Sequence, residues 1–89
     1  MDDIRVLADA IVQHARDNVT GARRDVTNSL RKIKQLERLI KHAKRSPDVV
    51  VLYAVLLESE KKRLNSLTGY LDTTIEHQQE LVKLRNKLK

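Results

Sequence analysis

The chain contains no cysteine, tryptophan or phenylalanine, one proline (Pro47) and two glycines, Gly21 and Gly69. Without cysteine there is no disulfide framework and no thiolate-bound zinc. Tyr53 and Tyr70 are the whole aromatic content, 2% of residues, and so few turn-forming and aromatic residues argue against an all-β domain. The longest apolar run, residues 49–57, is nine residues long, against the ~20 that a membrane-spanning helix needs. No apolar segment follows Met1, Asp2 and Asp3, so the expectation is a cytoplasmic protein without a secretory leader. The 89 residues make one small domain, 1–89, with little core from which to build a cleft. A non-enzymatic protein without catalytic residues, metal or cofactor is expected.

What the chain has is charge and heptads. Lys and Arg number 18 against 12 Asp and Glu, a net charge of +6. A basic balance suits nucleic acid, anionic membrane surfaces or acidic proteins, and does not choose among them. Ser46-Pro47-Asp48 divides the chain near its middle. Proline fits the first turn of a helix and stops one that runs into it. Ser46 is placed to cap the new helix and Asp48 to meet its dipole, while Lys41, Lys44 and Arg45 suit the end of the preceding one. Two helices are predicted, about 3–45 and 47–88, joined by a turn at 46–48.

The apolar pattern gives these helices a common seam. Val12, Val19, Val26, Ile33 and Ile40 recur every seven residues, and Ala8, Ala15, Ala22, Ser29, Leu36 and Ala43 follow in a second row. This is an a/d heptad with β-branched residues at a and mostly small ones at d. In the second half, Val50, Leu57, Leu64 and Leu71 form one row and Tyr53, Leu67, Leu81 and Leu88 the other, interrupted by Glu60, Thr74, Gln78 and Arg85. Folded at Pro47, small residues of the first helix face large ones of the second, with facing numbers adding to about 94. Ser29 then meets Leu64, and Ser29 and Gln78 read as devices that penalise wrong alignments.

The predicted fold is thus an all-α, coiled-coil-like antiparallel hairpin, expected to pair into a four-helix bundle. The alternative is a three-helix bundle with a break near Gly69, where Asp72 and Thr73-x-x-Glu76 imitate a helix start. The bend, Pro47 followed by Tyr53, is similar to that of type III secretion needle subunits, which are also short helical hairpins. Two residues carry the resemblance, and it implies the hairpin alone.

One seam leaves apolar residues over. Leu39, Leu52, Val55 and Leu56 near the loop and Leu7, Ile11, Ile75, Val82 and Leu84 near the termini lie outside it. They are the expected interface, with a second copy or with another helical protein. Arg31, Lys32, Lys34, Arg38, Lys41, Lys44 and Arg45, together with Lys61, Lys62 and Arg63, are expected to merge into one positive zone. The alternative function rests on Arg31, Lys32, Lys34, Arg38, Lys61, Lys62 and Arg63: binding a nucleic-acid backbone without sequence specificity. Two tyrosines offer no stacking platform for single strands. His14, His42 and His77, with Asp17, Glu76 and Glu80 loosely nearby, lack metal-ligand spacing. Glu58 and Glu60 are two apart on a helix and do not face each other as an acid/base pair would.

Overall fold

A computed structural model describes residues 2–43 and 46–88. Two helices account for nearly all of them: α1 (Asp2–His42) and α2 (Pro47–Lys87), each of 41 residues. They lie antiparallel in a rod of 69 × 15 × 12 Å. The expected ends need small corrections. α1 stops at His42, before residue 45, and Lys44 and Arg45 lie outside the described residues. Ser46 begins α2 in an extended conformation, and its carbonyl accepts the Val50 N–H at 3.1 Å. Its hydroxyl makes no capping bond, so Pro47, Asp48 and that backbone bond start the helix.

The seam follows the heptads. Over residues 3–43 the two rows from Ala8 to Ala43 are buried or half-buried throughout, and the others are exposed apart from Gly21. Val12, Ala15, Val19, Ala22, Ser29 and Ile33 are buried. On α2 the large seam residues, among them Leu57, Leu64, Leu67, Leu71 and Leu81, are half-buried. The asymmetry is geometric. A valine or alanine on α1 is covered from above by the long side chains of α2, but two helices cannot enclose a leucine on every side. The core is one side chain thick.

Four polar residues stand in the α2 rows, and three have identifiable partners. Ser29, 2% exposed, donates from its hydroxyl to Glu60 Oε1 at 2.8 Å. This partner lies about one helical turn nearer the loop than the expected Leu64, consistent with the early end of α1. Thr74 is buried and donates to the Leu71 carbonyl of its own helix at 2.8 Å. Near the termini, Arg85 pairs with Asp9 at 3.6 Å, while its Nε is buried with no hydrogen-bond partner.

The break envisaged near Gly69 is not what the chain adopts. α2 passes through Gly69 without interruption. Thr68 and Thr73 donate to the carbonyls of Leu64 and Gly69, four residues back, as threonines do inside a helix. Thr73 therefore spends its hydroxyl within the helix and caps nothing. Neither glycine has a positive φ, and a Cβ at either would meet no atom within 4 Å.

Two outcomes are expected in denaturant titrations. Gly69→Ala raises stability by about 0.5–1 kcal/mol, because alanine has the same helical backbone available and less freedom to lose. Ser29→Ala alone lowers it by about 1–3 kcal/mol by stranding a half-buried carboxylate. Ser29→Ala combined with Glu60→Leu removes both partners and recovers that loss; a combined variant as unstable as the single one would show that the bond itself is not what Glu60 requires.

Candidate functional site

An antiparallel seam has two borders. Reversing one helix brings like edges together, so the g positions of both helices line one side of the hairpin and the e positions the other. On the g side α1 contributes Ile4, Ile11, Asn18, Asp25, Lys32 and Leu39, and α2 contributes Val49, Leu56, Arg63, Tyr70, His77 and Leu84. A shallow groove lined by Ala15, Asn18, Tyr70, Thr73, Thr74 and His77 joins members of both sets midway along this side. Leu7 and Leu52 lie at c, the next position outward from g.

This side carries two apolar clusters with a polar stretch between them. Near the termini are Ile4, Leu7, Ile11 and Leu84; near the loop are Leu39, Val49, Leu52 and Leu56. All eight are exposed, Leu7 at 62% and Leu52 at 56%, although each is as apolar as the buried seam residues. Six of the nine expected interface residues (Leu7, Ile11, Leu39, Leu52, Leu56 and Leu84) therefore share one side. The other three do not join them. Val55 is exposed at an outward position far from the seam, and Ile75 and Val82 lie half-buried along the e edge.

Ile4 and Val49 belong with the six, and reading each half for its seam passes over them. The signal that finds them is an offset of 45 residues, the distance between the starts of α1 and α2. It pairs Ile4 with Val49, Leu7 with Leu52, Ile11 with Leu56 and Leu39 with Leu84. It also pairs seam residues, Val12 with Leu57, Val19 with Leu64 and Leu36 with Leu81. The two helices are weak copies of one another in apolar pattern.

The basic residues are arranged differently from a single patch. Arg31, Lys32, Lys34 and Arg38 on α1 and Lys61, Lys62 and Arg63 on α2 are all exposed. Successive residues of an α-helix turn by about 100°. Lys61, Lys62 and Arg63 thus fall on the e edge, the outer face and the g edge of α2, while Lys32 is at g and Arg31, Lys34 and Arg38 face outward on α1. The two clusters form a belt around the loop half of the hairpin. Among the described residues the ion pair is Asp9–Arg85, which leaves these seven cations without a carboxylate within 4.0 Å.

Charge is also unequal along the rod. Divided at the helix midpoints, residues 23–66 hold 12 Lys and Arg against 5 Asp and Glu, a net +7. The remaining segments hold 6 against 7, a net −1. The excess positive charge of the chain thus belongs to the loop half.

His14, His42 and His77 are exposed, and among the described residues no group of three or more His, Asp or Glu is placed to hold a metal ion. No helix of the described residues is long and apolar enough to cross a membrane. Comparison with protein-family models, with curated proteins and with solved structures gives no match to the chain.

Proposed function

We propose that the chain is a non-enzymatic assembly protein that works by packing its helices against other helices, either those of further copies or those of a larger complex. The observation that carries this reading is the pair of apolar clusters on the g side, left exposed although the hairpin's own seam is complete. Burying apolar surface yields about 25 cal/mol per Å², and exposed leucines and isoleucines gathered on one side are what an association surface consists of. The thin seam points the same way. A two-helix core one side chain thick supplies little stability by itself, and packing a second layer on the g side would cover the d-row leucines of α2, Leu67 and Leu81, which border that side.

A second reading has its own support. Seven exposed cations without acidic partners encircle the loop half, where the local charge is +7. A belt of this kind suits a polyanion followed by its charge, with no reading of bases. Nucleic-acid backbone binding is therefore the alternative function. It is compatible with assembly, because much of the belt lies off the g side.

Each reading has its own test, light scattering for assembly and salt-dependent binding for the polyanion. For the assembly reading, the wild-type chain of 10.3 kDa is expected to run as a discrete multimer whose mass does not change with salt. Leu52→Glu with Leu56→Glu is expected to reduce it to a single helical chain; an unchanged mass would remove the loop-end cluster from the interface. For the polyanion reading, affinity for duplex DNA or RNA is expected to fall steeply with salt. Changing Lys61, Lys62 and Arg63 to glutamine lowers the log–log slope by up to about 2.7, roughly 0.9 for each phosphate that is no longer neutralised. Absence of binding at low salt eliminates that reading.

A further inference from the structure

On α1 the b, c and f positions face away from the seam, in an arc about 100° wide. From residue 24 to residue 42 that arc carries Arg24, Arg31, Lys34, Arg38 and Lys41, all exposed. Its other positions are Thr27, Asn28, Gln35 and His42, each a polar side chain able to donate a hydrogen bond. No acid and no apolar residue interrupts it. Asp25 and Glu37, the acids of this stretch, lie at its g and e borders, and among the described residues neither pairs with a cation within 4.0 Å. The same arc over residues 3–21 has two aspartates and no Lys or Arg. The outward positions of α2 hold five acids against three lysines. The uninterrupted positive surface of the hairpin is therefore a straight stripe on one helix, about 26 Å from Arg24 to Lys41.

Helix capping does not account for this stripe. The helix dipole favours cations within the last turn, whereas Arg24 and Arg31 stand 18 and 11 residues before the end of α1 at His42. Solvation does not require it either, since interspersed charges of both signs, as on α2, serve as well. The stripe also opposes the helix that carries it. Arg31 with Lys34, Lys34 with Arg38, and Arg38 with Lys41 are like charges three or four residues apart, a spacing that destabilises a helix. Bound phosphates would relieve that repulsion.

We infer that the outer arc of α1 seats a duplex nucleic acid, held by its phosphates with α1 lying along them. The inference rests on the polyanion reading; it places the ligand on one face instead of around the belt, and names its class. The stripe is straight, on a rod 69 Å long, and a duplex is straight on this scale, with a persistence length of about 150 bp. A single strand or an acidic peptide would have to be ordered against the stripe, at a cost in conformational entropy. The arc has no tyrosine for unpaired bases to stack on and no apolar side chain to enter a bilayer. An α-helix fits the ~12 Å major groove of B-form DNA, and the arc lies on the side of α1 opposite α2, so α2 does not obstruct the approach. Arg24, Arg31 and Arg38 recur every seven residues at f and supply guanidinium forks suited to phosphate.

Fluorescence anisotropy of a labelled DNA duplex of about 20 bp, titrated with the full chain between about 50 and 200 mM salt, tests this. Two variants make the same change in charge. One is Arg31→Gln, Lys34→Gln and Arg38→Gln on the arc; the other is Lys61→Gln, Lys62→Gln and Arg63→Gln on α2. All six positions are exposed, and circular dichroism verifies that both variants are helical. With five phosphates neutralised, the wild type is expected to show a log–log slope of about −4.5 or steeper, a loss of affinity of about 500-fold over that range. The arc variant is expected to flatten the slope by about 2.7. The α2 variant is expected to flatten it by about 0.9 at most, because its three residues spread over some 200° of α2 and one at most reaches a ligand on α1. The arc variant is also expected to melt no lower than the wild type at low salt, since it removes three like-charge contacts. Flattening by the α2 variant as large as that by the arc variant overturns the arc and leaves the polyanion reading standing. A single strand of about 40 nucleotides, polyglutamate or phosphatidylserine vesicles bound as tightly as the duplex overturn the duplex as ligand. No binding of any of these at low salt overturns the polyanion reading and this inference with it.

Discussion

The structure depends on the close approach of two helices, and that approach depends on small residues. Along α1 the d row is mostly alanine, with Ser29 in its middle, and the a row is valine and isoleucine. None of these side chains holds the partner helix far away. The leucines of α2 overhang that strip, which is why the buried apolar residues, Val12, Ala15, Val19, Ala22 and Ile33, all belong to α1. Enlarging α1's small residues would separate the helices, because overpacking a close seam costs more than the added methylenes return. The same economy leaves the leucines of α2 half exposed along their outer flanks.

Polar residues in so thin a seam need partners or an outlet to water. Ser29 and Glu60 satisfy each other across the helices, and Thr74 turns to its own backbone. Arg85 lies near the open end, where its guanidinium reaches Asp9 at the rim. A slip of one turn would take Glu60 away from Ser29 and set it beside apolar side chains, so the pair favours a single alignment more than it adds stability. Thr74 imposes no such demand, since its hydroxyl bond stays within α2.

The outer surface sorts by position in a way that the seam does not require. Apolar residues concentrate at the two ends of the g side, and the net positive charge concentrates in the loop half. A solvated helix surface needs neither arrangement. On the proposed assembly reading, a surface packed on the g side would be apolar at both ends. A polyanion answers to the charge, and a helical partner answers to the apolar clusters.

Much of the fold was legible in the sequence because a seven-residue repeat leaves little freedom in what it describes. The a/d rows on α1 and most of the interrupted rows on α2 are buried or half-buried, and Ser46-Pro47-Asp48 marks the start of α2 rather than the turn itself, since Pro47 and Asp48 are already helical. Whether Gly69 ends a helix was not legible, because Asp72, Thr73 and Glu76 have the composition of a cap. Only the continuous α2, with Thr68 and Thr73 bonded back to their own helix, decides it. Which residue faces Ser29 also needed the structure, since heptads repeat and a shift of one turn preserves the apolar match. The surplus apolar residues could be named from the sequence, but their distribution over two borders and an outer face could not. Periodicity along one helix specifies which face is buried; only the placement of a second helix, reversed against it, determines which exposed residues become neighbours.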